Sequence, residues 1–115
     1  GSWWLTGSDG GALLRLDALG RPDRLIAADD DGGALPGPND LVFDRHGRLW
    51  FTVSGVFDPA APPAGGVYCH DGDGRVRQVV GDLHYANGIA LTNDGRTCFV
   101  AEHLRNRIVA FELSA

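Results

Sequence analysis

The chain has no lysine, no basic block, no long apolar run and only two cysteines, and each shortage removes a class of partner or scaffold. Its ten strongly basic residues are all arginines, set against fifteen Asp plus Glu, for a net charge of −5. Without a basic patch a nucleic-acid surface is not expected. No apolar run approaches the ~18 residues of a membrane helix, and the N-terminus lacks the charged-then-apolar layout of a secretion signal. The expectation is a soluble, cytoplasmic chain with no nucleic acid and no membrane as partner. Cys69 and Cys98 show neither Cys-x-x-Cys spacing nor a histidine at zinc-like distance. They read as small buried hydrophobes in a reducing compartment. A Gly-x-Ser-x-Gly elbow, a phosphate-cradling loop and a cysteine-histidine dyad are also missing, so covalent nucleophilic catalysis has no candidate and the catalytic residue is unknown.

What the chain has in quantity is turn punctuation between short apolar segments. Seventeen glycines and six prolines break up a sequence that is 43% hydrophobic, which is an all-β rhythm. Leu41 to Asp44, Leu49 to Val53, Val67 to His70 and Val76 to Val80 read as four antiparallel strands, the content of one propeller blade. Trp3 to Thr6, Ala12 to Asp17 and Arg24 to Ala28 read as a unit lacking its innermost strand. Ile89 to Leu91, Cys98 to Glu102 and Ile108 to Leu113 read as one lacking its outermost strand. The expected organisation is a blade remnant over residues 1–30, a complete blade over 36–82 and three strands of a further blade over 86–115. Closed propellers need at least four blades, and open strand edges invite aggregation. Further propeller polypeptide, or self-association, is therefore expected to complete the ring.

An internal repeat gives the best lead to function. Asn39-Asp40-Leu41-Val42-Phe43 precedes Gly47-Arg48-Leu49-Trp50-Phe51, and Asn87-Gly88-Ile89-Ala90-Leu91 precedes Gly95-Arg96-Thr97-Cys98-Phe99. Asparagine, turn glycine and strand all recur at an offset of 48 (87 − 39, 95 − 47, 99 − 51) without a gap, within the ~40 to 50 residues of one propeller blade. An asparagine just ahead of an innermost strand lies near the central axis. Its carbonyl can supply one neutral oxygen to a hard cation such as calcium, and carboxylates would have to come from other blades. Asn-Gly and Asn-Asp are also ordinary turn pairs, the competing reading. Asp44 to Gly47, Asp71 to Gly74 and Asn93 to Gly95 read as hairpin turns. Trp3, Trp4 and Trp50 read as filling between blades, His46 and His70 as solvent-exposed. His84 and His103 can both approach the face that carries the asparagines, where an imidazole can bind substrate or act as a base, the competing reading being a purely structural role for each. Glu102 reads most simply as an exposed strand-end carboxylate, with orienting a ligand or accepting hydrogen bonds beneath the site as the alternative, and 54–66 either as a surface insertion or as a loop over the site.

The ordered series Pro38-Asn39-Asp40-Leu41-Val42-Phe43-Asp44, Gly47-Arg48-Leu49-Trp50-Phe51-Thr52, Gly65-Gly66-Val67-Tyr68, Ala86-Asn87-Gly88-Ile89-Ala90-Leu91, Asp94-Gly95-Arg96 and Val100-Ala101-Glu102 resembles the gluconolactonase, regucalcin and senescence-marker-protein family. Related six-bladed propellers include diisopropyl fluorophosphatase, the paraoxonases and strictosidine synthase. The resemblance covers about residues 36 to 113 well and 1 to 30 loosely. It implies an incomplete six-bladed β-propeller and a hydrolase of lactones or related esters that depends on calcium or another divalent cation (zinc, magnesium or manganese). It also implies that Asn87 ligates the metal, and that Asn39 ligates it or contacts substrate. The resemblance places the other family ligands, a glutamate of the first blade and an aspartate of a later one, beyond the ends of this chain. Gly37 stands where sugar lactonases often carry an arginine, which weakens the case for an aldonolactone. The mechanism implied is Lewis-acid catalysis with water activated by a carboxylate or histidine. The rival expectation is a non-catalytic scaffold or binding module, or a metal-free relative of the strictosidine-synthase type.

Overall fold

The computed structural model describes residues 3–7, 11–72 and 74–113, and every structural statement below refers to these. Ten strands form three antiparallel sheets. The first holds β1 (Trp3–Gly7), β2 (Ala12–Leu16) and β3 (Pro22–Ile26). The second holds β4 (Pro38–Phe43), β5 (Leu49–Val53), β6 (Gly65–His70) and β7 (Val76–Leu83). The third holds β8 (Ala86–Leu91), β9 (Thr97–Glu102) and β10 (Arg107–Glu112), with a short 3₁₀ turn over His103–Arg105. In each sheet the strands follow one another in chain order, so every connection is a hairpin.

The second sheet is sandwiched by the other two, which explains its sequence. Every residue of β5 and β6 is buried, so these strands read as continuous apolar runs and not as alternating ones. Leu49, Phe51 and Val53 pack with Leu13, Ile26 and Leu35 on one side. Trp50, Val67 and Cys69 pack with Ala86, Ile89, Cys98 and Val100 on the other. A fully buried phenylalanine such as Phe51 contributes about 1.5–3 kcal/mol by its removal from water. Burial overturns the exposed reading of His70, which is 4% accessible and stacks obliquely on Trp4 of the first sheet, ring centroids 5.6 Å apart. Its Nε2 has no partner among the described residues, and burial, with Arg24 nearby, lowers its affinity for a proton.

The turns at one end of the sheets share a clasp. Asp17 and Asp44 each accept backbone N–H groups of their own turn through Oδ1 and the turn's arginine through Oδ2. The Asp71 turn closes the same way through the N–H of Arg75, its third residue lying outside the described set. Gly20, Gly47 and Gly74 sit at left-handed φ of 79°, 78° and 93°, where a side chain is strained. The clasp spends the carboxylates internally, as the hairpin reading expects.

The third such turn in the asparagine-bearing units differs, and this corrects the repeat. Thr92 replaces the aspartate, and its backbone bond spans to Thr97, whereas Asp44 spans to Arg48. Leu91 then faces Cys98 where Phe43 faces Leu49, so β9 runs at an offset of 49 (98 − 49) and not 48. Phe51 therefore corresponds to Val100, not to Phe99. Accessibility agrees, because Phe51 and Val100 are at 0% while Phe99 is 40% exposed.

Candidate functional site

Both asparagines stand inside strands, not ahead of them, and each sits at a β-bulge. On β4, Pro38 faces Val53 and Leu41 faces Phe51, so three steps match two on β5. On β8, Ala86 faces Glu102 and Ile89 faces Val100, the same mismatch. Asn39-Asp40 and Asn87-Gly88 occupy the irregularity. A bulge lets a strand continue while re-aiming a side chain, and bulges concentrate beside functional sites. The turn reading of Asn87-Gly88 fails here, since a type I′ pair needs positive φ at both residues and neither belongs to the positive-φ residues of the chain.

Hydroxyls from the preceding sheet hold each bulge. Thr6 donates to the Asn39 carbonyl at 2.6 Å, and Thr52 donates to the Asn87 carbonyl at 2.6 Å. Thr52 Oγ1 also accepts the Asp40 N–H at 3.1 Å, so one hydroxyl ties both bulges together. Ser54 Oγ accepts from Asn39 Nδ2 at 2.8 Å and donates to the Ala86 carbonyl at 2.9 Å. Asp40 closes the link, its carboxylate accepting the N–H groups of Leu41 at 2.9 Å and Ile89 at 3.0 Å. Sequence reasoning missed Thr6, Thr52, Ser54 and Asp40. The signal was present as Trp4-Leu5-Thr6 and Trp50-Phe51-Thr52, a Trp-x-Thr pair on two β-strands.

The same end of the sheets gathers the predicted histidines. His84 and Tyr85 form the turn between β7 and β8. His84 donates its N–H to Glu102 Oε2 at 2.7 Å, and the carbonyls of Tyr85 and His84 accept the N–H groups of His103 and Leu104, each at 3.1 Å. Loop 54–64 folds over this turn: His84 Nε2 lies 3.0 Å from the Asp58 carbonyl, and Phe57 packs on Tyr85 and His103. The loop therefore overlies the asparagine end. Glu102 is not exposed but wholly buried, with Arg107 Nε at 2.7 Å from Oε1 and Arg105 Nε at 3.4 Å from Oε2. Burial alone raises its carboxyl, yet the His84 N–H and the arginines outweigh it and hold the group below its ordinary range.

Among the described residues no cluster of three or more His, Cys, Asp or Glu side chains could hold a metal ion. What the asparagines offer is different in kind. The Asn87 side chain makes no hydrogen bond to a described residue, and Asn39 uses only its Nδ2. Two amide oxygens thus stay available as neutral donors while the nearby carboxylates of Asp40 and Glu102 are engaged. That donor set fits part of the shell of a hard divalent cation, whose remaining oxygens must come from other residues. Two grooves among the described residues lie elsewhere, one of about 920 Å³ at the clasp end beside Asp44, Arg96 and Glu112, the other of about 400 Å³ along Gly65, Gln78 and Gly81. Both cysteines are free and buried, and burial pushes the Cys98 thiol up to about 11, which leaves it inert. No helix among the described residues is long and apolar enough to cross a membrane.

Comparison with known proteins agrees with the fold. Residues 1–115 match the family model described as the SMP-30/gluconolactonase/LRE-like region, and the chain belongs to that family. It is 31% identical over 112 residues to the diisopropyl-fluorophosphatase of Loligo vulgaris, covering 88% of this chain and 36% of that protein. It is 37% identical over 71 residues to the lactonase drp35 of Staphylococcus epidermidis, covering 61% of this chain and 21% of that one. A solved gluconolactonase from Xanthomonas campestris superimposes with a TM-score of 0.83 at 27% identity, over 99% of this chain and 41% of its own. A calcium-binding regucalcin from Agrobacterium tumefaciens shares the fold at a TM-score of 0.57 and 22% identity, over 99% of this chain and 50% of its own. The fold is all-β and of the propeller kind, and the chain spans about two-fifths or less of the length of the first three of these relatives.

Proposed function

We propose, proceeding from that family membership, that the chain contributes part of the active site of a divalent-metal-dependent hydrolase of lactones or related esters. Calcium is the first candidate cation, with zinc, magnesium and manganese as alternatives. The observation that carries the proposal is the repeated bulge, which fixes the main chain of Asn39 and Asn87 through hydroxyls of the preceding sheet and leaves both amide oxygens uncommitted. The names of the relatives, a lactonase and a gluconolactonase, supply the reaction class.

Asn87 and Asn39 would hold the cation, which when bound supplies Lewis-acid polarisation of the substrate carbonyl. Ser54 orients the Asn39 amide so that Nδ2 faces the protein and Oδ1 stays free. Asn39, His84 and His103 are the proposed substrate contacts on the rim. His84 is held in place by its N–H on Glu102. The water-activating group is assigned to no residue of this chain.

We read the ring as completed by further propeller polypeptide or by association of copies. The outer faces support this: Trp3, Leu5 and Leu25 are exposed on the first sheet, Phe99 and Ile108 on the third. Apolar residues gathered on a sheet face mark a surface that another layer covers. A cytoplasmic setting belongs to the same proposal and is supported by the two unpaired thiols.

In the completed assembly, Asn87→Ala should abolish most calcium binding by calorimetry, and chelator should suppress lactone hydrolysis. Unchanged affinity in the variant would sink the ligand assignment. Hydrolysis indifferent to chelator would favour a metal-free relative of the strictosidine-synthase type, and no hydrolysis at all a binding module.

A further inference from the structure

The rim beside Asn87 carries three aromatic rings from three separate segments. Phe57 comes from loop 54–64, Tyr85 from the turn before β8 and His103 from the 3₁₀ turn after β9. Their centroids lie 4.8 Å (Phe57–Tyr85), 5.5 Å (Phe57–His103) and 5.8 Å (Tyr85–His103) apart, all edge to face. Such pairs add about 0.5–1.5 kcal/mol beyond their buried area, so the cluster is ordered. It is nevertheless open, with Phe57 62% and its neighbour Val56 56% exposed.

The backbone beneath is strained and pinned. Tyr85 adopts φ 63°, a left-handed conformation rare for an aromatic residue. Such strain persists only where surrounding contacts over-determine it, and it collects at functional sites. Here the contacts are the N–H of His103 on the Tyr85 carbonyl, that of Leu104 on the His84 carbonyl, and that of His84 on buried Glu102. The His84 Nε2 contact with the Asp58 carbonyl holds the loop side. Two residues after Tyr85 comes Asn87.

We infer that Phe57, Tyr85 and His103 form a preorganised wall that receives the substituent of the substrate ring, and that the preferred substrates are lactones or esters bearing an alkyl or aryl group, not polyhydroxylated ones. This rests on the hydrolase reading above and adds its specificity. Two of the polar groups beside the wall are already engaged within the protein, His84 Nε2 with the Asp58 carbonyl and the Glu102 carboxylate with the His84 N–H and Arg107, which leaves the apolar faces of Phe57 and its neighbours as the contact that the wall itself offers.

The test uses the full-length assembled protein and two readouts. In the first, kcat/KM is compared for an alkyl-substituted lactone and its unsubstituted ring, in wild type and Phe57→Ala. The preference for the substituted lactone should fall about ten-fold, the scale on which an apolar pocket discriminates. In the second, binding of the matching alkyl-substituted lactam, which is not hydrolysed, is followed by calorimetry in the presence of chelator and should weaken similarly. If wild type hydrolyses lactones but both preference and lactam affinity survive Phe57→Ala, the wall is wrong and the hydrolase reading stands. If no lactone is hydrolysed yet lactam binding is lost in the variant, the wall stands and the hydrolase reading fails. Absence of both activity and lactam binding in wild type overturns both.

Discussion

β4 and β8 share a bulge and an asparagine, yet they secure them differently. Asn39 is held at both ends, its carbonyl by Thr6 and its amide nitrogen by Ser54. Asn87 is held only at its carbonyl, by Thr52, and its side chain is untethered among the described residues. The next residue differs as well. Asp40 sends its carboxylate across to the Ile89 N–H, while Gly88 has no side chain to send. Space does not demand that glycine, since a Cβ there would approach only Asp40 Oδ2, at 3.9 Å. The pattern is directional: each sheet's polar residues fix the bulge of the next. Asn87 is positioned by groups that are not its own, and its amide is the less tethered of the two.

The first way to break this comparison is to delete each amide. Asn87→Ala should weaken calcium binding in the assembled protein by about 100-fold, the loss expected for removing a direct oxygen ligand where outer contacts alone are worth 10–100-fold. Asn39→Ala should cost less, about ten-fold, because its role is divided between ligand and substrate contact. Titration calorimetry separates the two. Equal losses would show that the tether to Ser54 does not distinguish them, and a larger loss at Asn39 would reverse the assignment.

A finer probe leaves both amides in place and removes a hydroxyl. Thr52→Val strips the Asn87 carbonyl and the Asp40 N–H of a partner at once, while Thr6→Val strips only the Asn39 carbonyl. A fully buried group left unsatisfied costs about 1–3 kcal/mol and these half-buried ones less, but two are lost in one variant against one in the other, so Thr52→Val should be the more destabilising in urea. It should also reduce calcium affinity about ten-fold, as loss of an orienting contact does, with Thr6→Val closer to wild type. If Thr52→Val lowers stability and leaves affinity unchanged, the hydroxyl holds the sheets together without orienting Asn87.

These residues show where sequence reading succeeds and where it stops. Asp44-x-x-Gly47-Arg48 announces its turn because one carboxylate satisfies local N–H groups, a short-range matter that spacing records. The asparagines were legible as a pair because they recur in phase. Their place within the strand was not, because a bulge is a pairing mismatch between two segments and has no composition of its own. The extra residue in the turn after Leu91 was hidden by the glycine and arginine that recur just before it, and only the pairing of Leu91 with Cys98 exposes the slip. Glu102 reads more simply as a surface carboxylate than as the hydrogen-bond acceptor it proves to be, since its partners Arg107 and His84 become neighbours only when β10 and the turn after β7 fold back. His70 misled for the same reason, as its burial comes from Trp4 of a different sheet.

The clasp end supplies the smallest effect on the site and the sharpest contrast with it. Asp44 accepts the indole N–H of Trp50 at 3.0 Å, the N–H groups of His46 and Arg48, and the Arg48 guanidinium at 2.7 Å. Burial by itself raises its carboxyl, but these bonds prevail and lower it to about 2. A folded value below the unfolded one means that the bonds stabilise the protein above the ordinary carboxylate range and that this stability is lost as pH falls from about 4 toward 2. Asp44→Asn should remove about 1–2 kcal/mol at neutral pH and flatten that part of the acid limb. Asp94, which serves the unlike turn, is solvent-exposed, so Asp94→Asn should move the limb less. Neither change should alter calcium affinity, because the clasp lies at the opposite end of the strands from both bulges. Urea titrations between pH 2 and 7 with parallel calorimetry decide it. A loss of calcium binding in Asp44→Asn without a loss of stability would mean that the two ends of the sheets are coupled, and that the bulges do not depend on the preceding sheet's hydroxyls alone.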